Sequence, residues 1–202
     1  MTLREFTIND APTILILLVM VTFYVAYFVK QAQQRKQGVK TMILGKGDKP
    51  KSEKNIERAL KFLSFLLPCV EIVSIYMNVE EMPLWAQWTG TGIAVLGVCF
   101  FCAGMMTMKD SWRAGIPETK ETSLVTSGIY QFSRNPAFVG FDLLYLGILL
   151  AYPNVWHACA VAAAICLFHL QILGEEKFLT RTFGEEYVQY AKHVNRYLGR
   201  KK

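Results

Sequence analysis

Five long apolar runs, 12–29, 60–79, 84–106, 136–152 and 155–173, punctuate this chain of 202 residues. A helix needs about 17–25 mostly apolar residues to cross a bilayer, and each run meets that length. The chain therefore reads as an all-α, polytopic membrane protein with five transmembrane helices. A hydrophobic content of 52% and a mean hydropathy of +0.25 argue in the same direction, against an ordinary soluble globule. After residue 173 the pattern changes. Apolar or aromatic residues at 179, 183, 187, 190, 194 and 197 recur every three or four positions, which predicts a C-terminal amphipathic interfacial helix over 175–198.

Basic residues orient such a chain, because cytoplasmic loops retain Lys and Arg. Arg4 alone precedes the first run, whereas ten of the 22 basic residues fall in 30–61, four in 107–135 and seven after 173. This places the N-terminus outside and the C-terminus in the cytoplasm. The net charge of +6 then belongs to a membrane-facing rim that attracts lipid headgroups, and it needs no nucleic-acid partner. No obligate protein partner is evident either. The first run carries little positive charge before it and no small-residue cleavage site after it, so it reads as a retained helix and not a secretory signal.

The first 106 residues form a three-helix membrane scaffold with a polar, cytoplasmic loop at 30–58, whose glycines and alternating charges read as mobile. Its Gly45 and Gly47 lack the spacing of a phosphate-binding loop. The five cysteines all fall within apolar runs, where thiols pack as small hydrophobes; Cys99 and Cys102 have no nearby His to complete a metal site. Glu71 is the exception in the scaffold. An ionisable side chain within a span is costly, so it is either functional or held neutral by a neighbour.

Chemistry concentrates in residues 107–202. Asn135-Pro136 is a helix start, with Asn suited to the cap and Pro to the first turn. The N-terminal end of that helix favours a carboxylate or phosphate, and Arg134 adds a full positive charge there. On the last run Phe168, Gln171 and Glu175 share one helical face. A carboxylate at position 175 can accept two hydrogen bonds from a ribose diol, or it can simply open an amphipathic helix alongside Glu176. Asp142 can serve the same pocket or pair with a neighbouring helix. His169, on the last run, is a distant candidate base and is otherwise a packed core histidine.

Three blocks of sequence go further. Thr122-Ser-Leu-Val-Thr-Ser-Gly-Ile-Tyr130, Arg134-Asn-Pro-Ala-Phe138 with Gly140, and Glu175-Glu176 followed by Phe183-Gly-Glu-Glu-Tyr187 resemble the C-terminal signature of the isoprenylcysteine carboxyl methyltransferase family, phospholipid methyltransferase-like integral membrane enzymes. The resemblance covers roughly residues 107–198. It implies S-adenosyl-L-methionine as the cofactor, with Thr122, Ser123, Leu124, Val125, Tyr130, Asn135, Pro136, Ala137, Phe138 and Glu175 binding it. Five spans suit the small prokaryotic members, and so a prokaryotic plasma membrane. Such an enzyme uses no metal.

Two positions depart from the family pattern. Asn135 stands where the family generally has His, and an amide can still donate and accept there. Gln171 stands where the prenylcysteine enzymes carry an Arg that grips the substrate carboxylate. Arg134 and Gln171 are thus positioning candidates, Gln171 also lying at the substrate. The expected function is methyl transfer to a lipophilic small molecule or lipid-modified substrate, the acceptor being a carboxylate, thiol, amine or lipid headgroup. A sterol-reductase-like, NADPH-dependent enzyme and a non-catalytic lipid-binding scaffold are the alternatives.

Overall fold

The computed structural model describes residues 10–38, 41–78, 81–116 and 123–201; Thr122 lies outside them. The described chain is all-α. Helices α1 (Ala11–Lys36), α2 (Lys51–Met77), α3 (Leu84–Met108) and α5 (Val155–Phe183) are long and apolar enough to cross a membrane, while α4 (Pro136–Ala151) is apolar but has only 16 residues. After them α6 (Glu185–His193) is short and amphipathic. The polytopic character is thus present, with four long candidate spans and one shorter helix where five full spans were expected.

Hydrogen bonds locate the helix ends. Thr13 at the start of α1 meets the Tyr152 hydroxyl after α4 at 2.7 Å, and Asn154 before α5 meets Ser74 near the end of α2 at 2.6 Å. At the opposite end Ile43 and Ala114 exchange backbone bonds with their neighbours, Ile43 N–H to Ala114 C=O and Ala114 N–H to Thr41 C=O. The five helices therefore run alternately up and down one bundle, leaving 41–50, 109–116, 123–135 and 184–201 together at one end.

Helices α3 and α4 pack with almost no space between them. A Cβ at Gly97 would meet the Leu144 amide at 2.5 Å, one at Gly140 the Phe101 amide at 2.6 Å, and one at Gly147 the Ala94 amide at 2.5 Å. Small residues at these crossings let backbones touch, the usual way helices associate where lipid removes the hydrophobic drive. Above this seam Phe23 of α1 packs on Phe101 with ring centres 4.5 Å apart, Phe101 on Phe141 at 5.2 Å and Phe141 on Phe168 of α5 at 5.0 Å. Four helices thereby share one aromatic layer.

Two elements differ from the sequence expectation. The polar stretch 30–58 is mostly helical extension of α1 and α2, and what remains of the loop is fastened down. Fully buried Glu57 accepts from the Gly45 amide at 2.7 Å, the Ile116 amide at 2.9 Å and the Lys49 ammonium at 2.8 and 2.9 Å. Buried Gln34 accepts from the Thr41 hydroxyl and donates to the Trp112 carbonyl. The expected helix over 175–198 is likewise absent as a unit. α5 continues through Glu175 and Glu176 to Phe183, Gly184 breaks it at φ +55°, a value side chains disfavour, and α6 ends at His193. Residues 194–201 turn back, Val194 pairing with Arg200, and the Gly199 amide donates to the Phe132 carbonyl at 2.7 Å. The cysteines also differ from a packed interior: Cys69, Cys99, Cys159 and Cys166 are exposed on the bundle surface, and Cys102 is partly so.

Candidate active site

A cavity of about 470 Å³ opens between α1, α2, α4 and α5, beneath the Glu57-fastened loop and the turn that precedes α4. This lies within the roughly 300–1,000 Å³ common for small-ligand sites. It has two distinct parts. One wall is apolar and comes from α1 and α2, with Phe23, Tyr27, Leu60, Leu63 and Leu67. The other carries Ser123, Leu124, Val125, Tyr130, Arg134, Asn135, Ala137, Phe138, Gln171 and Glu175. Those ten come from three separate segments of the sequence and converge on one space. Pro136 does not line it; its ring packs toward Gly104 of α3.

The polar wall is assembled by identifiable contacts. A short 3-10 turn, Gly128–Gln131, presents Tyr130, whose carbonyl accepts from the Tyr190 hydroxyl of α6 at 2.6 Å. Burial first, then the Glu175 carboxylate and Tyr190, push the Tyr130 phenol upward, so it remains a neutral donor. Gln171 donates to Glu175 at 3.1 Å, one helical turn away. That bond fixes one carboxylate oxygen and leaves the other for the cavity.

Asn135 does not cap α4 with its side chain. Its Nδ2 donates instead to the Arg196 carbonyl at 3.1 Å, and the Arg134 amide donates to the Asn195 carbonyl at 3.1 Å. The C-terminal turn is thereby stitched to the start of α4. Arg134 is nearly buried, its guanidinium 3.1 Å from Glu176 and near the Tyr187 ring, while its Nε has no partner. Glu176 also receives a two-pronged contact from Arg196, at 2.8 and 3.1 Å. Burial, with Glu176 adding to it, pushes the Tyr187 phenol up to about 12.

Two sequence candidates stand outside the cavity wall. His169 is bonded through Nδ1 to the Tyr197 hydroxyl at 2.6 Å, and Asp142 keeps a buried oxygen without a partner. Glu71 is fully buried with both oxygens unpartnered. Conversely, Tyr187 and Tyr190 line the cavity, although the sequence marked them only as part of the apolar face of an interfacial helix. Their helical spacing was legible, but the direction in which the stripe faces depends on the break at Gly184.

The donor set fits a sulfonium nucleoside bearing an amino-acid carboxylate. A partnerless Arg134 Nε suits an anion, Glu175 suits hydroxyls or positive charge, and Tyr130 and Phe138 offer aromatic faces.

Known proteins place this site in context. Residues 85–186 match the phospholipid methyltransferase family. The human protein-S-isoprenylcysteine O-methyltransferase is 32% identical over 117 residues, which cover 54% of this chain and 40% of the human one. The Arabidopsis thaliana protein-S-isoprenylcysteine O-methyltransferase B is 31% identical over 137 residues, 65% of this chain and 70% of that one. The Schizosaccharomyces pombe protein-S-isoprenylcysteine O-methyltransferase is 30% identical over 147 residues, 71% of this chain and 57% of that one. The chain thus spans two fifths of the human enzyme and over half of the yeast one. With the family matched across half its length and converging on this cavity, the chain belongs to the phospholipid methyltransferase family of membrane methyltransferases, among whose members it is similar to the protein-S-isoprenylcysteine O-methyltransferases.

Proposed function

We propose that this chain is an S-adenosyl-L-methionine-dependent integral membrane methyltransferase acting on a lipophilic acceptor. The observation that carries the reading is the two-part cavity: a polar wall of hydrogen-bonding groups and an apolar wall of α1 and α2 side chains face one continuous space. Family membership supports methyl transfer over an NADPH-dependent reductase.

When bound, the cofactor supplies a methyl group already activated on sulfur. The residues' task is to hold, align and exclude water. Glu175, oriented by Gln171, accepts hydroxyl hydrogen bonds, and the free Nε of Arg134 together with the first turn of α4 favours a carboxylate. By the family resemblance Thr122, Ser123, Leu124, Val125 and Tyr130 belong to the cofactor-binding segment before α4, and Asn135, Pro136, Ala137 and Phe138 to the one that opens α4; Asn135 and Pro136 act by holding the fold of the turn. Leu63, Leu67 and their neighbours shelter the acceptor's hydrocarbon part. Alignment in a dry site can supply up to roughly 7–11 kcal/mol of the barrier.

The relatives' names make an isoprenylcysteine the first acceptor to test. Gln171, a neutral amide committed to Glu175, supplies no cation for a substrate carboxylate, so other lipophilic carboxylates, thiols, amines and lipid headgroups belong in the same panel. We further propose that α4, about 24 Å long, is a fifth crossing, that α6 lies at the interface, and that the N-terminus faces outward. In this reading residues 107–202 form the cofactor region, and α1 and α2 of the 1–106 scaffold also wall the acceptor space.

The test is radiolabelled methyl transfer by purified protein in lipid nanodiscs, using prenylcysteine analogues, lipid extracts and small thiols. Cofactor-dependent labelling of a lipophilic acceptor is expected. Binding of NADPH without any response to S-adenosylhomocysteine would overturn the proposal.

A further inference from the structure

A second concavity, of about 640 Å³, lies behind Arg134 and Tyr187, between the last turns of α5, α6 and the C-terminal turn. Its wall carries Arg134, Lys177, Arg181, Lys192, Arg196 and Lys201 against a single carboxylate, Glu176. That carboxylate is already engaged, 2.8 Å from Arg196 and 3.1 Å from Arg134. Among the described residues Lys177, Arg181 and Lys192 take part in no ion pair, and all three are exposed. So many cations in one groove repel one another unless an anion sits among them.

The position of the groove selects the anion. Lys177 lies 22 residues beyond Val155, the first residue of α5, and so roughly 33 Å along the helix. A hydrocarbon core is about 30 Å thick, with headgroups adding several ångströms on each side. Lys177 therefore stands at headgroup depth, with Arg181 one turn further out. Guanidinium forks match phosphate oxygens in pairs, and flexible ammonium groups on Lys177 and Lys192 can close around them.

We propose that this groove binds the phosphate of an anionic membrane lipid. The site is separate from the acceptor cavity and shares with it only Arg134 and Tyr187. The triple variant Lys177→Gln/Arg181→Gln/Lys192→Gln removes three cations that touch neither the cavity nor the packed core.

Native mass spectrometry of the detergent-solubilised protein with added phosphatidylglycerol or phosphatidylcholine reads the site directly. Phosphatidylglycerol is expected to be retained selectively, and its retention to fall at least about tenfold in the triple variant, since each cation near a charged headgroup contributes roughly 1 kcal/mol. An unchanged melting temperature and unchanged S-adenosylhomocysteine affinity identify the variant as folded. Displacement by millimolar inorganic phosphate would support the groove with free phosphate as its occupant; resistance to it supports the lipid. Equal retention of both lipids, or undiminished phosphatidylglycerol on a folded triple variant, would overturn the proposal. A wild-type protein that holds phosphatidylglycerol but no S-adenosylhomocysteine would leave the groove standing and sink the methyltransferase reading instead.

Discussion

Glu57 has no exposed surface and accepts four hydrogen bonds, two from Lys49 and one each from the Gly45 and Ile116 amides. Glu57→Ala leaves a buried ammonium and two amides unpaired, so stability should fall by about 3–5 kcal/mol, read as a lowered melting temperature in detergent. Glu71 is the opposite case, buried with nothing to bond. Glu71→Met removes an unsatisfied carboxyl and should raise the melting temperature, by about 1–3 kcal/mol of stability. At the cavity, Glu175→Ala should weaken S-adenosylhomocysteine binding by about 1.5–3 kcal/mol, measured by calorimetry on folded protein. Residues such as Glu175 and Gln171 were legible because helical spacing puts them on one face and the family resemblance marks that face as the cofactor's. Glu57 was not, because its partner amide at Ile116 is 59 positions away and its neighbourhood has the composition of a solvated loop.

The seam between α3 and α4 holds the short helix in place. Gly97 has no room for a side chain, while a Cβ at Gly92 would meet nothing within 4 Å. Gly97→Val should therefore lower stability by at least about 1–3 kcal/mol, whereas Gly92→Ala, in the same helix, should be neutral or gain up to about 1 kcal/mol. Thermal unfolding of the pair separates close packing from helix propensity. Gly90, Gly97 and Gly104 are spaced by seven in the sequence, and Gly140 and Gly147 repeat that interval, yet hydropathy gives no sign of which helix they face. The end of α5 shows a different limit. Periodicity predicts one helix over 175–198; 175–183 and 185–193 are helical, but Gly184, at φ +55°, breaks the run and redirects the chain, turning Tyr187 and Tyr190 toward the cavity. A glycine in a helical pattern is compatible with either outcome until tertiary contacts choose.

Alternating helix directions bring the loop after α1, the segment before α4 and the C-terminal turn to one end of the bundle, where the polar wall of the cavity forms. By sequence, 21 of the 22 Lys and Arg residues fall in 30–61, in 107–135 or after 173. In a cysteine-free background, an impermeant maleimide applied to intact cells should label Glu81→Cys and spare Lys46→Cys; the reverse pattern would invert the proposed orientation. Bundle architecture was readable from hydropathy because lipid demands long apolar helices. The two-part cavity was readable only on its polar side, where motifs lie, since an apolar wall has the same composition as any other buried or lipid-facing surface. Calorimetric titration of S-adenosylhomocysteine into the wild-type protein and the folded Glu175→Ala variant, both in nanodiscs, tests the central claim most directly. Saturable binding that weakens by about 1.5–3 kcal/mol in the variant is the expected result; no binding to the wild type, or equal binding to both, would contradict it.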